Sequence, residues 1–91
     1  MNTHITPNAQ PLYTFQNRSG EFVDVLARAE YQGEQLDLTA VSTPSGLVYV
    51  VEGTKVIRRA FVEIENAVQA FNSERLTTLA AKFGTYEYAK P

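Results

Sequence analysis

Three strand-like runs between Glu21 and Glu52, EFVDVLARAEYQ, QLDLTAVS and LVYVVE, can be laid side by side in one register, and no other feature of the chain restricts its fold so tightly. Gly33-Glu34 and Thr43-Pro44-Ser45-Gly46 separate the runs and have the composition of hairpin connections. Side chains along a strand alternate between faces. Turns at those positions therefore put Val23, Val25, Ala27, Ala29 and Tyr31 beside Leu36, Leu38, Ala40, Tyr49 and Val51 on one face. The opposite face carries Leu26, Val41 and Val48 in one row, Arg28, Thr39 and Val50 in the next, and Glu30, Asp37 and Glu52 in a third. The first face is apolar and needs a cover. The second is apolar at one end and acidic at the other.

Flanking segments extend the pattern. Residues 12–16 (LYTFQ) read as a short strand, and Asn17-Arg18-Ser19-Gly20 suits a type I turn with Asn first and Gly last, so a four-stranded antiparallel meander follows. From Thr54 the period changes: Ile57, Ala60, Phe61, Ile64, Ala67, Val68 and Phe71 recur at the spacing of one helix face. This predicts an amphipathic helix with Thr54 as its N-cap. Lys55, Arg58 and Arg59 oppose that start, because positive charge is unfavourable at a helix N-terminus. A competing reading carries the strand pattern through a Gly53-Thr54 hairpin and begins the helix near Ala60; the longer helix is preferred. Asn72-Ser73-Glu74 reads as a break and a new cap, and Leu76, Leu79, Ala80 and Phe83 as a second short helix closed by Gly84. The final TYEYAKP alternates, as a frayed tail or an added edge strand would. Residues 1–11 are polar and carry two prolines, so they read as a flexible lead-in outside the core. The expected architecture is a single α+β domain over residues 12–91, with one long and one short C-terminal helix packed on one face of the sheet.

Size and charge narrow the function classes. A chain of 91 residues has room for one modest core. It has no cysteine, so disulfides and thiolate metal sites are excluded. A formal net charge of -2 argues against a general attraction to nucleic acid or anionic membrane. The beginning, MNTHITPNAQP, has neither the charged nor the apolar region of a signal peptide, and no apolar run is long enough for a membrane span. A soluble, cytoplasmic protein is expected.

Candidate chemistry is sparse. The one histidine, His4, lies in the lead-in, where nothing would fix its tautomer. Without a structured histidine there is no Ser-His or Cys-His pair, and no serine sits in a nucleophile-elbow pattern. The glycines are scattered at turns rather than gathered in a phosphate-binding loop. Glu63 and Glu65, two apart on a predicted helix, point away from each other. No catalytic residue, metal site or cofactor is expected, and the chain reads as a non-enzyme.

What remains is the uncovered face of the sheet. Glu30, Asp37 and Glu52 opposite one another would repel. Such a row either keeps a wet sheet end soluble or meets a basic surface by imitating the charge row of a nucleic-acid backbone. Oxygen ligation of a divalent cation is the least favoured reading, because no acidic-loop signature is present. The rows of Leu26, Val41, Val48 and Val50, with Phe22 near them, form an apolar patch that is either covered by a terminus or used as an interface. The expected partner is a larger protein with a basic surface, or a second copy of the chain. Direct nucleic-acid binding, through Arg18, Arg28 and the Lys55, Arg58 and Arg59 cluster, is the disfavoured alternative: Tyr31 and Tyr49 fall on the helix-covered face, away from any bases to be stacked. In being small, acidic, cysteine-free and without a catalytic motif, the chain resembles in composition phage and mobile-element proteins that block host enzymes, anti-CRISPR proteins among them. That resemblance rests on no matched motif and carries over no residue. It implies an inhibitor that occupies a surface of a nucleic-acid-handling complex; a homodimeric structural subunit is a further alternative.

Overall fold

A computed structural model describes Ile5, residues 10–78 and residues 85–88. Five strands cross one antiparallel sheet in chain order: β1 (Tyr13–Gln16), β2 (Phe22–Tyr31), β3 (Glu34–Thr43), β4 (Gly46–Gly53) and β5 (Arg59–Phe61). A sixth, β6 (Thr85–Tyr88), pairs antiparallel with β2, and the helix α1 spans Ile64–Thr78. The α+β class, the meander and the C-terminal helix match the sequence reading; the strand and helix counts do not. No helix among the described residues is long and apolar enough to cross a membrane.

Local chemistry sets two of the turns where the sequence places them. Asn17 Oδ1 accepts from the N–H groups of Ser19 (3.0 Å) and Glu21 (2.9 Å), and the Gly20 N–H donates to the Asn17 carbonyl at 3.0 Å. Thr43 pairs with Gly46, and its hydroxyl donates to the Gly46 carbonyl at 2.6 Å. With that turn fixed, β3 and β4 have the register read from the sequence: Asp37↔Glu52, Leu38↔Val51, Thr39↔Val50, Ala40↔Tyr49 and Val41↔Val48.

The β2–β3 hairpin differs by two devices. Its turn residues are Gln32 and Gly33, both at positive φ (51° and 80°), so Tyr31 pairs with Glu34 and the turn lies one residue earlier than expected. A two-residue turn of this mirror-image type matches the twist of the flanking strands, and glycine at its second position removes half the strain. Second, Val25 pairs with Thr39 and Ala27 with Leu38, which leaves Leu26 as the extra residue of a β-bulge. Leu26 and Ala27 both pack on the helix side, and every residue of β2 before them changes face. Val23 and Val25, expected under the helix, lie on the open face opposite Val41 and Thr39; Leu26, expected on the open face, is buried in the helix-side core. The bulge sits where β2 changes partner along its outer edge, since β1 pairs with residues 22–25 and β6 with residues 27–30.

The segment after β4 forms a strand rather than the first turns of a helix. Thr54, expected as an N-cap, uses its hydroxyl to accept from the Gln35 N–H (3.0 Å), while its own N–H donates to the Gln35 carbonyl (2.9 Å). Gly53 lies so close to β3 that a Cβ there would collide with the Gln35 carbonyl. Held in this way, the chain reverses, and β5 pairs with β4 through Tyr49↔Phe61, Val50↔Ala60 and Val51↔Arg59. Ile57, placed on the expected helix stripe, is exposed. The helix begins at Ile64, with Glu65 in its first turn and Arg75 in its last, where each charge suits the helix dipole. It runs straight through Asn72-Ser73-Glu74, the expected break, because Phe71 and Arg75 on either side of that stretch are both buried. The rest of the expected second helix, Leu79 to Gly84, lies outside the described residues.

The main core joins the two layers. Ile64, Ala67 and Phe71 of α1 pack on Leu36, Leu38, Ala40, Tyr49 and Val51, with Leu26, Ala27 and Ala29 of β2. Ile5 is buried in the same cluster and Tyr88 packs against it. At least one residue of the supposed lead-in therefore belongs to the core. From the two terminal segments, Ile5 and Tyr88 thus reach the helix side of the sheet.

Candidate functional site

The open face of the sheet is built in rungs. Phe15, Val23, Val41 and Val48 form one; Tyr13, Val25, Thr39, Val50 and Ala60 form the next; Arg28, Asp37 and Glu52 form the third. These rungs enclose a groove of about 370 Å³, whose lining includes Tyr13, Phe15, Val25, Val50, Arg28 and Arg58. Val23, Val41 and Val50 make a second apolar cluster that contains no helix residue. The groove is thus a valine floor with an aromatic wall on the β1 side and a charged end.

The wall is exposed. Tyr13 and Phe15 keep 43% and 45% of their surface accessible, although both sit above buried valines. Their ring centroids are 6.2 Å apart with planes tilted by 33°, and the Arg28 guanidinium lies 5.4 Å from the Tyr13 ring centre. Both distances fall in the attractive range for aromatic pairs and for a cation over a ring face.

At the charged end each acid has a basic neighbour. Arg28 Nε donates to Asp37 Oδ1 at 2.9 Å and its Nη2 to Oδ2 at 3.4 Å, while Gln35 Nε2 donates to Oδ2 at 2.8 Å. The hydrogen bond to Asp37 holds the Arg28 guanidinium above its ordinary pKa. Arg58 Nε stands 3.9 Å from Glu52 Oε2. Glu30 is not in this rung at all, since it pairs with Gln35 while Arg28 takes the place opposite Asp37. The expected row of three acids is therefore a charge-balanced row. The shift follows from the β2–β3 turn: moving it back by one residue displaces the pairing of the two strands by two positions and preserves face while changing neighbours.

Of the residues proposed from the sequence, the structure brings Val41, Val48, Val50, Asp37 and Glu52 together on one face, leaves Glu30 one rung away, and places Leu26 on the other side of the sheet. The sequence reading missed Tyr13, Phe15, Val23 and Val25 as lining residues; it placed Arg28 on this face, and named Arg28 and Arg58 only for the disfavoured nucleic-acid alternative. Tyr13 and Phe15 carried a usable signal, because alternation puts them on one face of β1, away from Thr14 and Gln16. Val23 and Val25 carried none without the bulge. Among the described residues no group of histidine, cysteine, aspartate or glutamate is arranged to hold a metal ion; His4 lies outside them.

Comparison with family models, with curated proteins and with solved structures finds no match to this chain.

Proposed function

We infer that the chain is a non-enzymatic binding module that holds an apolar stretch of a larger protein against the open face of its sheet. One observation carries this reading: the groove of about 370 Å³ with a valine floor and two half-exposed aromatic rings. Apolar grooves of this size with a few charged groups at one end are where proteins hold ligand or partner side chains. The basic partner surface that three aligned acids would require has lost its ground, because Asp37 is bridged by Arg28 and Glu52 neighbours Arg58. The partner is better described by an apolar or aromatic side chain that enters the floor, with polar groups that meet the rim. Inhibition of a host complex, suggested by composition, would on this reading act by occupying a surface rather than by chemistry.

The Tyr13–Phe15 pair beside Arg28 also favours a second reading, single-stranded nucleic acid stacked on the β1 wall. Pull-down from lysate with and without nuclease, using wild type and the double variant Tyr13→Ser, Phe15→Ser, separates the two. A protein retained after nuclease and lost with the double variant supports the module. Capture abolished by nuclease transfers the groove to nucleic acid, and capture indifferent to the double variant removes the groove from the interaction.

A further inference from the structure

Opposite β1 the sheet ends in β5, and no described element pairs with the outer edge of that strand. The two most exposed large apolar side chains among the described residues, Ile57 (87%) and Val62 (79%), stand just before and just after it. Single exposed apolar residues are ordinary on protein surfaces. Two of them at the ends of an open strand edge are different, because side chains and unpaired backbone groups then face solvent together. The charges of the segment are also sorted: Lys55, Arg58 and Arg59 precede Ala60, whereas Glu63 and Glu65 follow it. Run antiparallel, the basic half of one copy lies alongside the acidic half of the other, a complementarity of neighbouring charges rather than of directly opposed residues.

We propose that β5 pairs antiparallel with β5 of a second copy of this chain, centred on Ala60, so that two sheets join edge to edge about a twofold axis. In this register Ala60 meets Ala60, Arg58 faces Val62 of the second copy, Arg59 faces Phe61, and Ile57 faces Glu63. The Arg59 guanidinium lies 5.0 Å from the Phe61 ring centre of its own chain, and the pairing sets a second Phe61 on the same rung. Ala60 pairs with Val50 and so lies on the open face, where Arg58 lines the groove; in the extended pairing alternation brings Val62 to that face, and the aliphatic stem of Arg58 covers it across the joint. In the extended pairing alternation brings Ile57 to the face of the half-buried Phe61, where it packs diagonally against the ring of the second copy. Because Ala60 has so small a side chain, nothing at the axis holds the strands apart. The same face that carries the groove becomes continuous across both copies.

Arginines on a very short edge strand are also a common means of keeping edges apart, so the test must separate pairing from its prevention. The chain has no cysteine, and Ala60→Cys therefore introduces a single thiol per copy. Two cysteines directly opposed on antiparallel strands have Cβ atoms roughly 4.5 to 5.5 Å apart, close enough to cross-link with slight adjustment. Mild oxidation should link Ala60→Cys into a covalent dimer at least ~10-fold faster than the exposed helix variant Ser73→Cys, which reports random collision. Sedimentation of the unmodified chain should show a reversible dimer forming at about 10 to 300 μM, as a small interface implies. Ile57→Glu, which places two acids opposite each other, should raise the dissociation constant ~10-fold or more, whereas Ile57→Lys opposite Glu63 should leave it within about threefold. Both variants alter a side chain exposed in the single chain, and circular dichroism should confirm an unchanged fold. A wild-type chain still monomeric at ~1 mM, equal cross-linking of the two cysteine variants, or a dimer that ignores the sign of the charge at position 57 would each overturn the proposal.

Discussion

On the helix side of the sheet Leu36, Leu38 and Val51 are inaccessible to solvent beneath Ile64, Ala67 and Phe71, whereas on the open side Val25 and Val50 are 1% accessible and the cluster that holds Val50 contains no helix residue. Equal burial thus arises in two ways. Under the helix it comes from a second layer that interdigitates with the first. On the open face it comes from neighbours within the sheet, where Val23, Val41 and Val50 cluster and Val48 packs against them. Accessible area alone does not distinguish these arrangements, but their response to change should differ. A side chain removed from between two layers leaves a cavity with walls on all sides; one removed from a single layer leaves a deeper groove that water can enter.

The largest difference should come from the helix layer. Phe71→Ala should cost about 3 to 5 kcal/mol and Leu38→Ala about 2 to 5 kcal/mol, read from denaturant midpoints at constant m. Hydrogen exchange at Leu38 and Val51 should be among the slowest in the domain. Next comes the bulge. Deleting Leu26 leaves the pairings on either side in register, so the deletion and Leu26→Ala should both lose about 2 to 4 kcal/mol, the value of one buried leucine, and should keep the same fold. A deletion that unfolds the domain while Leu26→Ala is tolerated would show that the bulge has a role beyond placing that side chain. On the open face Val50→Ala should cost only about 1 to 2 kcal/mol. A loss equal to that of Leu38→Ala would break the comparison and indicate that something covers the groove.

Smaller effects belong to the rim. Replacing Arg28 by Met removes a partly buried, doubly hydrogen-bonded ion pair and should cost about 0.5 to 1.5 kcal/mol, less at high salt. A cation with its pKa raised in the folded state stabilises the fold below its unfolded value and loses that contribution only as pH rises through the folded one. The Arg28 contribution should therefore be flat through the neutral range and decline only in strong alkali. Tyr13→Ser and Phe15→Ser, at half-exposed positions, should change stability by less than ~0.5 kcal/mol each. If the groove is a binding site, those two substitutions should have the largest effect on partner affinity and the smallest on folding.

The β3–β4 hairpin was legible because everything that fixes it is local. Thr43 and Gly46 close a short turn, the pattern on each strand alternates, and a slip by one residue would expose Leu38 and Val51. The Asn17 turn was legible for the same reason, since the residues that satisfy its backbone lie within four positions of one another. Ile64, Ala67 and Phe71 were legible as a helix stripe, but Ile57, Ala60 and Phe61 fit the same spacing and form strand and loop instead. In so short a window apolar positions satisfy both periods, and the choice fell to Thr54 and Gly53, whose backbone contacts with Gln35 turn the chain back toward β4.

The candidate site was half legible, and the reason lies in Leu26. By itself the chain determined an α+β fold, an antiparallel meander, the residues of β3 and β4 that share each face, and a helix that covers one of those faces. Each of these follows from alternation, helix periodicity or turn chemistry acting over a few residues. The tertiary structure decided which half of β2 faces the helix, which basic groups stand beside Asp37 and Glu52, and which aromatics wall the groove. The edge that this bulge interrupts has partners on both sides of it, and those partners, β1 and β6, come from distant parts of the sequence. No local pattern in β2 records that meeting, and because strand side chains alternate with a period of two, one extra residue was enough to exchange Leu26 for Val23 and Val25 on the open face.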